Sequence, residues 1–200
     1  MIFTSSSPQQ SNTLKVFGGN ALLLRKDKFI NTITLLQEDF TTTIKTTYQG
    51  NHLVIAGVYL QSLNKDSSGC IDTYNSQLSC ITGIINQFNS SAEPIIIGDF
   101  QSCPAVHNSS RSAAPNALTV HLSKFITENN LIPIDITHGD GPCYTYHHLS
   151  LPNSSYIDHV LIQPSLIDHL QHTGILAPEP TNTGDHLPVV MSLSIPVTTP

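Results

Sequence analysis

One short run constrains the fold of this chain more than any other: Ile95, Ile96 and Ile97 in succession, followed by Gly98 and Asp99. Three β-branched residues in a row are typical of a strand that is buried on both faces, as in a parallel sheet. Asp99 then lies at the carboxyl end of the strand, where open α/β sheets bind their ligands. From this segment alone, Asp99 either opens a turn, as aspartate often does after a strand, or belongs to a functional site.

The rest of the chain predicts a mixed α/β fold with many strands and few helices. Apolar residues recur every three or four positions from Ile71 to Phe88, which predicts a helix, and a second helix is predicted from Ala117 to about Asn130. A turn over residues 49–52 separates two strand-like runs and indicates a hairpin. The other predicted strands cover residues 33–37, 40–48, 53–60, 144–148, 156–162, 170–176 and 187–195. We expect a polar tail over residues 1–17 and one domain over residues 18–196.

The distribution of charge argues against tight binding of duplex DNA by this chain alone. From Phe125 to the end there are seven Asp or Glu residues and no Lys or Arg, whereas a duplex-binding surface usually carries a basic stripe. No apolar run is long enough to cross a membrane, which takes about 18 residues or more, and residues 1–13 do not resemble a signal peptide. The four cysteines form no CxxC motif, so we expect free thiols and an intracellular protein, with the nucleus as one location.

Three carboxylates share one setting, beside strongly apolar residues: Asp99, Asp158 and Asp185. A charged group there is costly unless it is paired, protonated or bound to a cation. Carboxylate oxygens suit Mg²⁺ or Mn²⁺, and His186, next to Asp185, has the chemistry of a general base. The pattern therefore predicts a site for acid–base and metal chemistry.

Successive motifs of the chain resemble those of the endonuclease/exonuclease/phosphatase superfamily, in the same order and at similar spacing. The segments concerned are Gly18–Ala21, Val58–Leu60, Ile96–Phe100, Tyr144–Tyr146, Ser155–Val160 and Gly184–Val190. The most similar branch is the endonuclease domain of non-LTR retrotransposon (reverse transcriptase) polyproteins. Each motif alone is weak, but the ordered set spans residues 18 to 195.

The resemblance implies a two-sheet, DNase I-like α/β sandwich that hydrolyses DNA or another phosphodiester with Mg²⁺ or Mn²⁺. Asp99 would align or deprotonate the attacking water or protonate the leaving oxygen. His186, oriented by Asp158, would contact the scissile phosphate or act as a base. Asp185 would lie at the metal site, and Tyr59 would donate a hydrogen bond to a phosphate oxygen. Such chemistry needs positioned water, a charge-neutralising cation and donors to the phosphoryl oxygens.

The sequence departs from this superfamily pattern in two places. Gln101 stands where the family has Asn; its longer amide would still reach a phosphate oxygen, displaced by roughly 1 Å, an error that can cost about a hundredfold in rate. The family also places an Asn and a metal-binding Glu before the Gly-Gly strand, and residues 1–17 contain no Glu. We therefore expect a fold that lacks its first strands, because the chain is either N-terminally incomplete or a degenerate copy. Poor solubility from an exposed sheet edge would follow.

Three functions remain open at this point. The first is a metal-dependent endonuclease domain of retroelement type that acts on DNA. The second is a catalytically inactive remnant of that domain, and the third is a phosphatase or lipid phosphodiesterase of the same superfamily. Asp135 and Asp168 are interpreted as loop or turn residues, and the histidines other than His186 as surface or core residues. The sequence does not determine the oligomeric state.

Overall fold

The structure, a computed structural model, describes residues 2–5, 20–63, 67–88, 90–106, 111, 114–148, 153–179 and 184–198. The chain forms two compact units, the first from residues 1–98 with 195–200 and the second from residues 99–194. The single domain over residues 18–196 stays a prediction. Each unit is described by itself below.

The first unit contains strands and one long helix. In chain order its elements are β1 (Ile2–Ser5), β2 (Asn20–Leu23), β3 (Phe29–Glu38), β4 (Thr41–Tyr48), β5 (Asn51–Tyr59), α1 (Ser67–Phe88) and β6 (Glu93–Asp99). Neighbouring strands follow the order β3-β4-β5-β6, and β3 to β5 pair antiparallel. The predicted hairpin at residues 49–52 is confirmed, and β3 is longer than predicted.

The core of the first unit confirms the interpretation of β6 and α1. Ile95 and Ile96 of β6 are 6% and 1% exposed, and Tyr74 and Ile81 of α1 are buried as well. Seven positions separate Tyr74 from Ile81, which is two helical turns, so both side chains lie on one face of the helix. The β-branched run in β6 and the helical spacing of apolar residues in α1 therefore predicted burial correctly.

The segment predicted to be a polar tail contains a strand. Residues Ile2–Ser5 form β1, which pairs antiparallel with β2 in a separate two-stranded sheet. Four residues are too few to show an alternating pattern, and the pairing depends on backbone hydrogen bonds to a strand far along the chain. Residues 2–5 therefore form a strand within the segment that the sequence predicts to be a polar tail, and the boundary at residue 17 stays a prediction.

The second unit has shorter elements. These are α2 (Thr119–Glu128), β7 (Ile132–Pro133), α3 (Ile134–Thr137), β8 (Tyr146–His147), β9 (Ser154–Ser155), β10 (Asp158–Ile162), a 3₁₀ helix (Pro164–His169), β11 (Leu170–Ile175) and β12 (Val189–Leu193). Three antiparallel pairs hold the strands: β10 with β7, β8 with β9, and β11 with β12. Its core includes Ile136, Tyr156, Ile175 and Leu187.

The four strands predicted in the second unit are all shorter in the structure, and the Thr145 side chain explains the late start of β10. The Thr145 hydroxyl accepts hydrogen bonds from the backbone N–H groups of Ile157 and Asp158, each at 3.0 Å. Those two donors are therefore used by a side chain, so β10 begins only at Asp158. Thr145 itself stands just before β8, which is reduced to two residues.

Two further expectations can be compared with the described residues. None of the helices within the described ranges is long and apolar enough to cross a membrane. All four cysteines are free thiols, as expected; Cys70 and Cys103 are buried and Cys143 is exposed.

Candidate active site

The carboxylate of Asp99 lies at the end of β6. The backbone conformation just before it depends on Gly98. Gly98 has a φ of 144°, and a Cβ atom there would overlap the carbonyl oxygen of Val58. Glycine is the residue that adopts this backbone without strain. Asp99 itself is only 6% exposed, so its charge is largely removed from water.

Gln101 donates to both oxygens of this carboxylate. Its backbone N–H lies 2.8 Å from Asp99 Oδ1, and its side-chain Nε2 lies 2.6 Å from Oδ2. Gln101 adopts a left-handed φ of 56°, and Asn116 Nδ2 donates to its carbonyl oxygen at 3.0 Å. The amide that was predicted to bind substrate thus binds Asp99 in this structure, and its contact with a phosphate stays a prediction.

Asp158 and His186 form the second half of the site. His186 Nδ1 lies 2.9 Å from Asp158 Oδ2. The side chain of His186 is 38% exposed and that of Asp158 is 17% exposed. The hydrogen bond to Asp158 raises the pKa of His186, against the opposing effect of burial. The Tyr146 ring lies 5.0 Å from the His186 ring, centroid to centroid. The predicted orientation of His186 by Asp158 therefore agrees with the geometry.

Thr145 fixes the backbone on both sides of this pair. Besides the two amides that its hydroxyl accepts, its carbonyl oxygen accepts the N–H of Leu187 at 2.7 Å. Thr145 is buried, and it joins the residues that follow His186 to those that precede Asp158. No role was predicted for Thr145, although it lies within the Tyr144–Tyr146 motif.

The two halves meet in one cluster. Within the described residues, Asp99, Asp158 and His186 each offer a ligating atom, and these atoms lie within 4.8 Å of one another. Burial, and then the negative charge of Asp158, raises the pKa of Asp99 to about 7. Two carboxylates held this close are stabilised by a shared proton or by a cation. The cluster can therefore exchange a proton near neutral pH or hold a metal ion.

Asp185, another predicted site residue, is not part of this cluster, and Tyr59 belongs to the first unit. Asp185 is half-buried, and its carbonyl oxygen accepts the N–H of His147 at 2.8 Å. Its charge helps to raise the pKa of His186, but it is not among the three clustered residues. Tyr59 ends β5 in the first unit and is 43% exposed. Metal binding by Asp185 and phosphate binding by Tyr59 stay predictions.

Asp135 was interpreted as a loop or turn residue, and this was wrong. It lies in α3 and is fully buried, where its carboxylate contacts the ring of His159. The sequence contained one indirect signal. Neighbouring residues on a strand point to opposite faces, so if Asp158 faces the site, His159 must face the core and needs a buried partner.

Comparison with solved structures defines the class of fold. The chain has the α/β fold of the endonuclease/exonuclease/phosphatase proteins, so the predicted DNase I-like class is confirmed. It is similar to the endonuclease domain of TRAS1, a telomere-specific non-LTR retrotransposon, with a TM-score of 0.68 and 15% identity over 97% of this chain and 80% of that one. No protein-family model and no curated protein matches the sequence.

Two other similar structures have different activities in their descriptions. One is the Neisseria 3′ phosphatase NExo bound to a product DNA hairpin, with a TM-score of 0.67 and 14% identity over 97% of this chain and 80% of that chain. The other is an AP endonuclease from Archaeoglobus fulgidus, with a TM-score of 0.61 and 16% identity over 97% and 79%. At such identities the likeness establishes the fold alone.

Proposed function

We propose that this chain is a divalent-metal-dependent phosphodiester hydrolase, an endonuclease domain of retroelement type that acts on DNA. The observation that carries the proposal is the cluster of Asp99, Asp158 and His186, which lies at the end of a buried strand in a fold shared by nucleases and phosphatases. Hydrolysis of a phosphodiester needs a proton acceptor for water, a proton donor for the leaving oxygen and compensation of phosphoryl charge.

The residues of the cluster suit a hard cation. Two carboxylates face one another, and the repulsion between them, together with burial, raises the pKa of Asp99. Carboxylate oxygens are the ligands that Mg²⁺ and Mn²⁺ prefer. Asp185, the ligand that the motif implies, would hold the ion together with Asp158, which leaves Asp99 to transfer protons. When bound, it would neutralise charge on the phosphoryl oxygens and lower the pKa of water.

The side chains themselves would move and orient the protons. Asp99, with its pKa of about 7, can accept a proton from the attacking water or return one to the leaving oxygen. Asp158 holds His186 Nδ1 at 2.9 Å and thereby orients the imidazole toward the phosphate. Gln101 and Tyr59 would donate hydrogen bonds to the substrate.

Nicking of supercoiled plasmid DNA tests this proposal. The purified chain with Mg²⁺ or Mn²⁺ should convert supercoiled to open-circular plasmid, and a chelator should abolish the conversion. His186→Ala and Asp158→Ala should each lower the rate by about a hundredfold or more. His172→Ala and Asp168→Ala, both exposed residues of the second unit, serve as matched controls.

Two results would contradict the assignment in different ways. Nicking that survives His186→Ala and Asp158→Ala would separate the activity from this cluster. No nicking with the unaltered chain at any metal concentration would favour the catalytically inactive remnant.

A second candidate, a phosphatase or lipid phosphodiesterase, is favoured by the charge of the second unit. Residues 99–194 include two basic residues, Arg111 and Lys124, against eight acidic ones. Arg111 donates to the carbonyl oxygens of residues 140–142, and Lys124 lies 3.7 Å from Glu128. Hydrolysis of a small phosphomonoester or a phospholipid headgroup, in an assay where plasmid is left intact, would select this candidate.

A further inference from the structure

A buried polar network of the second unit has no part in the proposed chemistry. His159 Nδ1 lies 2.8 Å from Asp135 Oδ2, and both side chains are 0% exposed. The other oxygen of Asp135 accepts the N–H of Val160 at 2.9 Å. His159 Nε2 lies 2.9 Å from the carbonyl oxygen of Ser102. All polar atoms of both side chains are therefore engaged.

The hydrogen bonds determine where the protons lie. A carbonyl oxygen only accepts, so His159 Nε2 must carry a hydrogen and donate it to Ser102. One more proton lies between Nδ1 and the Asp135 carboxylate. Every polar atom of the buried pair therefore has a hydrogen-bond partner, as burial of polar groups requires.

Aromatic packing fixes the ring in this orientation. The Tyr156 ring stacks on His159 at 5.2 Å with an interplanar angle of 23°, and the Phe100 ring lies 5.9 Å away. The Tyr156 hydroxyl donates to the carbonyl oxygen of Asp135 at 3.1 Å. The imidazole is thus held by two aromatic neighbours and at both nitrogens, so Nε2 presents its hydrogen in one direction.

The network joins the two chain segments that carry the clustered carboxylates. Ser102 follows Asp99 by three residues, and His159 follows Asp158 directly on β10. Because Asp158 and His159 point to opposite faces of the strand, the ring binds Ser102 behind the site while Asp158 faces it. A second link between the same segments is the Phe100 N–H, which donates to the carbonyl oxygen of Ile157 at 2.8 Å.

We propose that His159, held by Asp135, is a positioning residue for the site: its Nε2–H anchors the carbonyl of Ser102 and so fixes the turn that carries Asp99 against the strand that carries Asp158. It touches neither substrate nor metal. A misplacement of about 1 Å between two groups of a site can cost on the order of a hundredfold in rate, so a fixed turn has a measurable effect. The activity arm of the test rests on the proposed function; the other arms do not.

Two substitutions separate positioning from simple packing. His159→Gln keeps an N–H donor near the position of Nε2, whereas His159→Asn keeps one near Nδ1 and loses the bond to Ser102. Both remove the ring and its stacking on Tyr156, and they differ by one methylene group and by the position of the donor. Leu161→Ala, at a buried position two residues further along β10, controls for a general loss of stability.

Amide hydrogen exchange at Phe100 is the first readout. His159→Asn should speed exchange of the Phe100 amide by at least about tenfold relative to His159→Gln, and Leu161→Ala should not produce this local difference. With an active enzyme, His159→Asn should lower kcat by about tenfold or more at an unchanged KM, with partial rescue in His159→Gln. Equal behaviour of the two His159 variants in exchange would overturn the proposal.

The unaltered chain provides a readout that depends on neither variant folding. Nitrogen NMR should show His159 Nε2 protonated at neutral pH, with coupling across its hydrogen bond to the carbonyl carbon of Ser102. An unprotonated Nε2 or the absence of this coupling would overturn the proposal. If the nicking assay fails while the exchange and NMR results are as expected, the proposed function is rejected. The role of His159 in holding the carbonyl of Ser102 is then still supported.

Discussion

At the scale of single residues, the site is defined by how Asp99 is surrounded. Gln101 supplies donors to both carboxylate oxygens, which favours the ionised form, while burial and Asp158 favour the protonated form. The second pair of effects is the larger, so the pKa is raised. Two predictions follow from this balance, one on stability and one on the pH dependence of activity.

Replacing Asp99 by Asn should stabilise the protein above neutral pH. The pKa of Asp99 is raised from an ordinary 3.8 to about 7, so between these values the folded state binds more protons than the unfolded state, and stability falls as pH rises. Asp99→Asn removes this loss and should raise the free energy of unfolding at pH 8 by roughly 2–4 kcal/mol. Urea denaturation at pH 4 and pH 8, without metal, measures it. An equal effect at both pH values would contradict the raised pKa.

Replacing Gln101 by Ala should shift the acidic limb of the activity profile upward. The variant keeps the backbone donor to Asp99 but loses the side-chain donor at 2.6 Å, so the ionised carboxylate is less stable. A hydrogen bond to a charged group contributes about 1.5 kcal/mol or more, which corresponds to a shift of about one pH unit. The measurement is kcat/KM from pH 5 to 9, with Gln163→Ala, a half-buried glutamine of the same unit, as control.

An unchanged acidic limb in Gln101→Ala would have a definite meaning. It would show that the side-chain amide does not act on Asp99 during turnover. Gln101 would then be left with the role predicted from its position in the motif, contact with the substrate phosphate.

At the scale of elements, Thr145 connects segments that are distant in sequence. One hydroxyl accepts two backbone amides at the start of β10, and one carbonyl accepts Leu187 beyond His186. The sequence gives little indication of this role. Thr145 is a residue type common in strands, and the amides that it accepts lie 12 and 13 positions further along the chain.

Thr145→Val should destabilise the protein far more than Thr145→Ser. Valine matches threonine in shape but cannot accept the amides of Ile157 and Asp158, and each unsatisfied buried donor costs about 1–3 kcal/mol. We expect a loss of roughly 2–4 kcal/mol in the free energy of unfolding, and serine should recover most of it. Thr127→Val, at an exposed position of α2, should change little. Equal losses for valine and serine would show that packing of the methyl group matters more.

The elements also show what the sequence could and could not reveal. The isoleucines of β6 and the spacing of Tyr74 and Ile81 in α1 predicted buried elements, because periodicity is a local property. The hydrogen bond between His159 and Asp135 joins residues 24 positions apart. The burial of both side chains depends on tertiary packing, which a local sequence pattern does not report. The order of the motifs predicted that Asp99, Asp158 and His186 belong to one site. It did not predict that the side-chain amide of Gln101 donates to Asp99.

At the scale of the whole molecule, the distribution of charge determines how the proposed DNA substrate would be bound. The residues from 99 to 194 carry eight acidic and two basic side chains. The unit that carries the site therefore offers few cations to neutralise phosphates, and DNA binding through this unit would release few counterions. Substrate would be held mainly by contacts at the cleavage site.

DNA binding should consequently depend weakly on salt. A protein that contacts six to ten phosphates has a log–log slope of roughly −5 to −9, whereas we expect a slope of about −2 or shallower for this chain. Fluorescence anisotropy with a short DNA duplex, Ca²⁺ in place of Mg²⁺ and 50–300 mM salt would measure it. A steep slope would reveal a basic surface that residues 99–194 do not supply.

The backbone at Gly98 makes the site depend on a residue that carries no reactive group. Any side chain there would overlap the carbonyl oxygen of Val58, so a substitution at position 98 would displace the end of β6 and Asp99 with it. The site can therefore be lost while Asp99, Asp158 and His186 are all retained.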